Sequence, residues 1–191
     1  MEYTMQQRGQ AIIQACLDAR ETDPIAIFRH VAAMDFVRIH GPEHHILDGA
    51  CLLTAFRNAG GDICLESALK KLMEEGLRMP GAMCGLWGVC GSVSSIGAAL
   101  ALIDGTGPLS ADSSWGGHME YSSAALARLA AVGGPRCCKR DAFLSLLQAV
   151  DYLNAHYPVT LPAPTVRCGF FPENRQCIGE RCPFHPGSSR R

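Results

Sequence analysis

The stretch SVSSIGAALALID, residues 92–104, decides the fold class. Residues 93–103 within it form the most apolar run of the chain and carry no charge. That run is far shorter than the roughly 20 residues a bilayer span needs, so it reads as a buried helix. Gly105-Thr106-Gly107-Pro108 closes it. Outward from here, apolar positions recur at three- and four-residue spacing through most of residues 1–157. Upstream, the spacing predicts helices over 5–19, 24–39, 43–58 and 65–77. Ile12, Ile13, Cys16 and Leu17 form the inner side of the first, and Leu69 and Leu72 that of the fourth. Asp23 and Pro24 supply an N-cap and a first-turn proline, and Gly60-Gly61 supplies a stop. Downstream, helices are predicted over 118–131 and 139–156. No alternating strand pattern of convincing length and no internal repeat occurs, so the expected fold is an all-α bundle of about seven helices.

Residues 158–191 differ in kind. They are rich in Pro, Gly and Arg, lack helical periodicity, and cannot bury much by themselves. The expected organisation is a helical domain, 1–157, with a cysteine-containing extension, 158–191, packed on it and ordered by a metal. The pair Arg190-Arg191 reads as a solvated end.

Net charge is −1, with no clustered basic surface, which argues against nucleic acid and against an anionic membrane. The N-terminus MEYTMQQRGQ lacks the basic start and apolar run of a secretory signal, so the expected location is the cytoplasm. Ten cysteines are then the anomaly. Hydrophobic residues make up 48% of the chain, enough for a core without disulfide staples. In a reducing compartment, clustered cysteines point to metal or redox chemistry.

Three constellations carry that chemistry. The glycine-rich segment MPGAMCGLWGVCG, residues 79–91, holds Cys84 and Cys90, and the helix predicted to follow aims its positive dipole end at Cys90. The plainer alternative is a tight loop whose cysteines are merely small and apolar. Next come the vicinal Cys137 and Cys138, flanked by Arg136, Lys139 and Arg140, which would lower a thiol pKa. Vicinal residues cannot both face inward along one helix face. The third is Cys168-x8-Cys177-x4-Cys182-Pro183, with His185 three residues on. It is compatible with iron–sulfur ligation or with a Cys3His zinc. On the helix predicted over 43–58, His44, Asp48 and Cys51 fall at i, i+4 and i+7 and could ligate a metal or relay protons. An ordinary amphipathic helix with Cys51 in the core explains them equally well. Cys16 and Cys64 read as plain buried cysteines.

The runs HHILDGACLLTAFRNAGG, MCGLWGVCGSVSSIGAAL and GGPRCCKRDAFLSLLQAV, together with the three-cysteine tail, resemble an uncharacterised cysteine-rich family of anaerobic bacteria and archaea. Its members are sometimes fused to radical-SAM or methyltransferase-like proteins, and the resemblance covers about residues 40–186. A more distant similarity is to a helical redox-active family with a Cys…Gly-Cys-Ala-x-x-Gly…Cys…Cys pattern. Cys51, Cys90-Gly91 and Cys137-Cys138 sit at comparable places there, although Ser92 stands where alanine is usual and the tail has no counterpart.

The leading expectation is a metal-binding redox or electron-transfer protein with an iron–sulfur cluster, of the 4Fe–4S type. Cys84, Cys90 and Cys137 or Cys138 would hold it, and Cys168, Cys177, Cys182 and His185 would form a second site or complete the first. The expected partner is a redox protein or partner enzyme. One alternative is a structural zinc protein. The other is a metal-free thiol enzyme with its nucleophile among Cys84, Cys90 and Cys138.

Overall fold

The computed structural model describes residues 2–189, so Arg190-Arg191 lies outside the described residues. Eight α-helices and no strands occur among the described residues. They are α1 (Met5–Asp18), α2 (Pro24–Ala32), α3 (His44–Asn58), α4 (Leu65–Gly76), α5 (Met83–Leu86), α6 (Gly91–Asp104), α7 (Ser113–Val132) and α8 (Cys138–His156). The fold is all-α, as the periodicity predicts. No helix is long and apolar enough among the described residues to cross a membrane.

Several starts follow from local chemistry. Thr4 and Gln7 form a reciprocal capping box on α1, and the Asp23 carboxylate accepts from the Ile25 amide at 2.8 Å ahead of Pro24. Other ends differ from the periodicity. The second helix stops at Ala32 rather than near residue 39, because the buried Lys139 ammonium takes the Ala32 carbonyl at 3.3 Å and residues 33–37 turn away. α7 begins at Ser113, five residues early, capped by Asp112. Its Gly116-Gly117 pair lies inside the helix, where the Tyr152 hydroxyl occupies the space a Gly117 side chain would need.

α3 is the axis of the bundle. It has no solvent face: every residue from His44 to Phe56 is buried, packed by α1, α2, α4, α6 and α8. The expectation of an amphipathic helix with a polar rim fails here. α6 crosses α3 closely enough that the Ser95 hydroxyl accepts from the Gly49 amide at 2.9 Å. A Cβ on Gly49 would run into the Ser95 carbonyl.

The tail is irregular apart from one 3-10 turn, Gly179–Arg181. It nonetheless contributes Val159, Leu161, Val166 and Phe184 to the common core. The Asn154 side chain brackets Leu161 with two hydrogen bonds, 2.8 and 2.9 Å. Phe184 meets Phe143 edge-on at 5.3 Å, and Phe170 lies 6.5 Å from both Phe28 and Phe143. Composition alone hid this anchor, since it rests on a handful of scattered side chains.

Candidate functional site

The two cysteines at the start of α8 diverge. Cys137 is the N-cap, with extended backbone, and Cys138 is the first helical residue. That change of conformation sends the neighbouring thiols to two different cavities. Cys138 lines a cavity of about 50 Å³ with Cys84 and Cys90. Cys137 lines a cavity of about 20 Å³ with Cys168, Cys177 and Cys182. The seven cysteines of the three sequence constellations are thereby divided three and four.

The first cavity is built from loop and helix starts. The single turn of α5 carries Cys84, and Cys90 is the N-cap of α6 with the Ser92 and Val93 amides directed at its sulfur. The Cys90 thiol reaches the Asp141 carboxylate at 3.9 Å. Burial, with Asp141 next, pushes the Cys90 thiol up, and burial pushes Cys138 up to about 12. Burial raises Cys137 as well, so the expectation that flanking cations would lower the pKa of the Cys137-Cys138 pair fails. Desolvation wins, Arg140 is spent on Asp141 at 3.2 Å and the Pro135 carbonyl at 2.9 Å, and Lys139 points elsewhere.

His45 also lines this cavity, and the Cδ2–Nε2 edge of its imidazole occupies the space a Gly91 side chain would need. The Met79 backbone lies by the ring, and Nδ1 is buried with no partner among the described residues. Burial lowers the His45 pKa. The Ser92 hydroxyl, also on the cavity wall, is likewise buried without a partner among the described residues.

In the second cavity, amide groups surround the sulfurs. Arg140 N–H donates to Cys137 Sγ at 3.4 Å, Asn174 Nδ2 to the same sulfur at 3.3 Å, and Gly179 N–H to Cys177 Sγ at 3.4 Å. The Phe170 and Phe171 amides face Cys168. The cysteines are fixed by backbone bonds: Cys168 N–H to the Phe184 carbonyl, 2.7 Å, and Cys182 N–H to that of Gly179, 2.9 Å. Phe143, Phe170 and Phe184 supply dry walls. His185 stands at the margin, its Nδ1 accepting from Gly187 and its ring against Phe171. The predicted tail triad thus gains Cys137 as a further thiol, a partnership that the sequence separation of thirty residues conceals.

Between the cavities lies a buried polar chain. Lys139, only 1% exposed, donates to the Ala32 and Arg38 carbonyls and to His44 Nε2 at 3.3 Å. His44 Nδ1–H then donates to Asp48 at 3.2 Å. Burial lowers Lys139 to about 8. His44, predicted as a ligand, is committed to this chain. Cys51 lies fully buried against Cys16 in the apolar core, away from both cavities. Cys64, read as buried, is exposed at the start of α4.

Among the described residues, no three His, Cys, Asp or Glu side chains converge closely enough to hold a single metal ion. The thiols ring their cavities rather than meeting at a point. The model of a family of unknown function, DUF5714, matches residues 12–185, and the chain belongs to that family. No curated protein matches the chain significantly, and no solved structure does.

Proposed function

We propose that this DUF5714 chain is a metal–thiolate redox protein whose tail cavity holds an iron–sulfur cluster on Cys137, Cys168, Cys177 and Cys182. The observation that carries the reading is the meeting of four cysteines, from α8 and the tail, around one aromatic-walled cavity. Four thiolates are the usual complement of such a cluster, and amide donors to sulfur and a dry surround set its potential. A single zinc needs its ligands drawn in to about 2.3 Å around one point, whereas a cluster spaces its thiolates widely. The ringed arrangement favours the cluster. Lys139, with its ammonium 5.0 Å from the centre of the Phe170 ring, supplies positive charge near the anionic centre.

The cluster would supply a one-electron couple. The chain's own residues hold it, shield it from water and tune it, and electrons would arrive from one protein partner and leave to another. All ten cysteines are free, which fits a reducing compartment such as the cytoplasm. Burial raises the Cys90 and Cys138 thiols, which argues against either as the nucleophile of a metal-free thiol enzyme.

Anaerobic purification with iron and sulfide analysis tests this. We expect a brown protein with at least about four iron and four sulfide per chain. Cys177→Ser with Cys182→Ser should remove the tail's share. Stoichiometric zinc released by the same pair of substitutions, with no iron after reconstitution, would replace this reading with the structural zinc protein.

A further inference from the structure

We infer that the cavity between Cys84, Cys90 and Cys138 is a second, separate iron–sulfur site, with His45 as its nitrogen ligand. It shares no side chain with the tail centre and does not depend on that reading; the two are joined by the peptide between Cys137 and Cys138 and by the Lys139–His44 and Arg140–Asp141 contacts.

Three observations converge. Three thiols from three separate elements, α5, the N-cap of α6 and the first turn of α8, face one enclosed space. That space, about 50 Å³, exceeds several-fold the roughly 10–15 Å³ needed for one water, so it has room for several atoms. Finally, His45 is 8% exposed and its Nδ1 is buried with no partner among the described residues. An orphaned buried nitrogen is costly in an ordinary core, and a ligand that satisfies the ring removes that cost.

The charges around the space suit an anionic centre. The Ser92 and Val93 amides point in from the start of α6, and the Ser92 hydroxyl is a spare donor. Arg136 is exposed at the margin. Asp141 also lines the wall, with its charge met by Arg140.

This centre differs from the tail centre in access. Cys84, Cys90, Arg136 and Asp141 also line an open groove of about 700 Å³, bounded by Leu126 and Leu129 of α7. A small molecule in that groove would meet this centre and not the one behind the phenylalanines.

The test is iron counting on full-length protein reconstituted without oxygen, with far-UV circular dichroism to verify folding. Wild type should carry about eight iron per chain. Cys84→Ser with Cys90→Ser should keep roughly half, and Cys177→Ser with Cys182→Ser should keep the other half. In protein labelled with 15N-histidine, the reduced wild type should show nitrogen coupling to an iron–sulfur electron spin. His45→Gln should lose that coupling, and His45→Cys should restore full iron without it. If the Cys84/Cys90 pair misfolds, alkylation of wild-type Cys84 by iodoacetamide decides. It should slow about tenfold or more on metal loading, because a ligated thiolate is not free to react. Full iron content without Cys84 and Cys90, or equal Cys84 labelling before and after loading, overturns the proposal. Loss of iron only in the Cys177/Cys182 pair sinks it while leaving the tail centre standing; loss only in the Cys84/Cys90 pair does the reverse.

Discussion

Glu43 shows how much one side chain holds in place ahead of the site. Its carboxylate, fully buried, accepts from the Arg38 backbone N–H at 2.7 Å, Nε at 3.0 Å and Nη2 at 2.6 Å. Gly41 lacks a side chain because the carboxylate fills that space. Burial pushes the carboxyl up, but the hydrogen bonds from Arg38 and from two backbone amides more than offset it, and its pKa falls below 4.5. Glu43→Gln should therefore cost about 2 kcal/mol at neutral pH, measured as a shift in urea midpoint. The gap between the two proteins should close as pH falls through the folded carboxyl's depressed value, since the bond is made by the ionised form. A gap that is independent of pH would show that packing and not the ion pair is responsible. Cys64 offers a second test. The Ser67 hydroxyl and amide hold this exposed thiol below its usual pKa, so iodoacetamide should label it first, and Cys64→Ser should abolish the fast phase seen by mass spectrometry. Residue roles were only partly legible. Adjacent histidines on one helix point about 100° apart, and nothing in the string says which of His44 and His45 meets the thiols. Both line the cavity, but the structure commits His44 to Lys139 and Asp48 and leaves His45 Nδ1 without a partner among the described residues.

At the scale of elements, the crossing of α3 and α6 turns on glycine placement. Gly49 faces the Ser95 backbone with no room for a methyl group, whereas Gly97, on the same α6, has only the Ser122 hydroxyl near it at 3.4 Å. Gly49→Ala should force the helices apart and cost about 1–3 kcal/mol. Gly97→Ala should be neutral or add roughly 0.5–1 kcal/mol, because alanine loses less conformational freedom in a helix. Denaturant melts of both variants measure the contrast, and equal destabilisation would refute the crossing geometry. The same glycines mark what periodicity can and cannot convey. α1, α4, α6 and α8 were legible to within a residue or so, because one face is apolar or their caps are local. The predicted second helix overran α2 and the predicted sixth began inside α7, because these segments depend on Lys139 and Tyr152, more than thirty residues further along the chain. α3 kept its apolar spacing but hid its total burial, since its polar residues are satisfied by partners on other helices.

For the whole molecule, the issue is what holds the tail. Phe184, Leu161 and Val166 already sit in the common core, so stripping the proposed cluster should free the segment around Cys177 without melting the helices. Limited proteolysis should cut within residues 171–181 after chelation while the helical dichroism persists. A cooperative loss of helix on chelation would mean that metal, and not the phenylalanine cluster, anchors the tail. Deleting residues 158–191 should do worse than chelation, because it uncovers Phe28 and Phe143; dye binding and loss of soluble yield would report it. The tail's three-cysteine pattern was plain in the sequence. Its union with Cys137 was not, because nothing local announces a contact between an N-cap and a loop thirty residues later. The total burial of α3 has a last consequence, for biosynthesis. Its partner α8 is translated about a hundred residues after α3 itself. At roughly 5–20 residues per second the nascent chain presents Leu47, Leu52 and their neighbours incompletely covered for some seconds. For that interval the ribosome-bound protein is a client for holding chaperones, and synonymous codon changes that slow translation between α4 and α8 should lengthen its exposure.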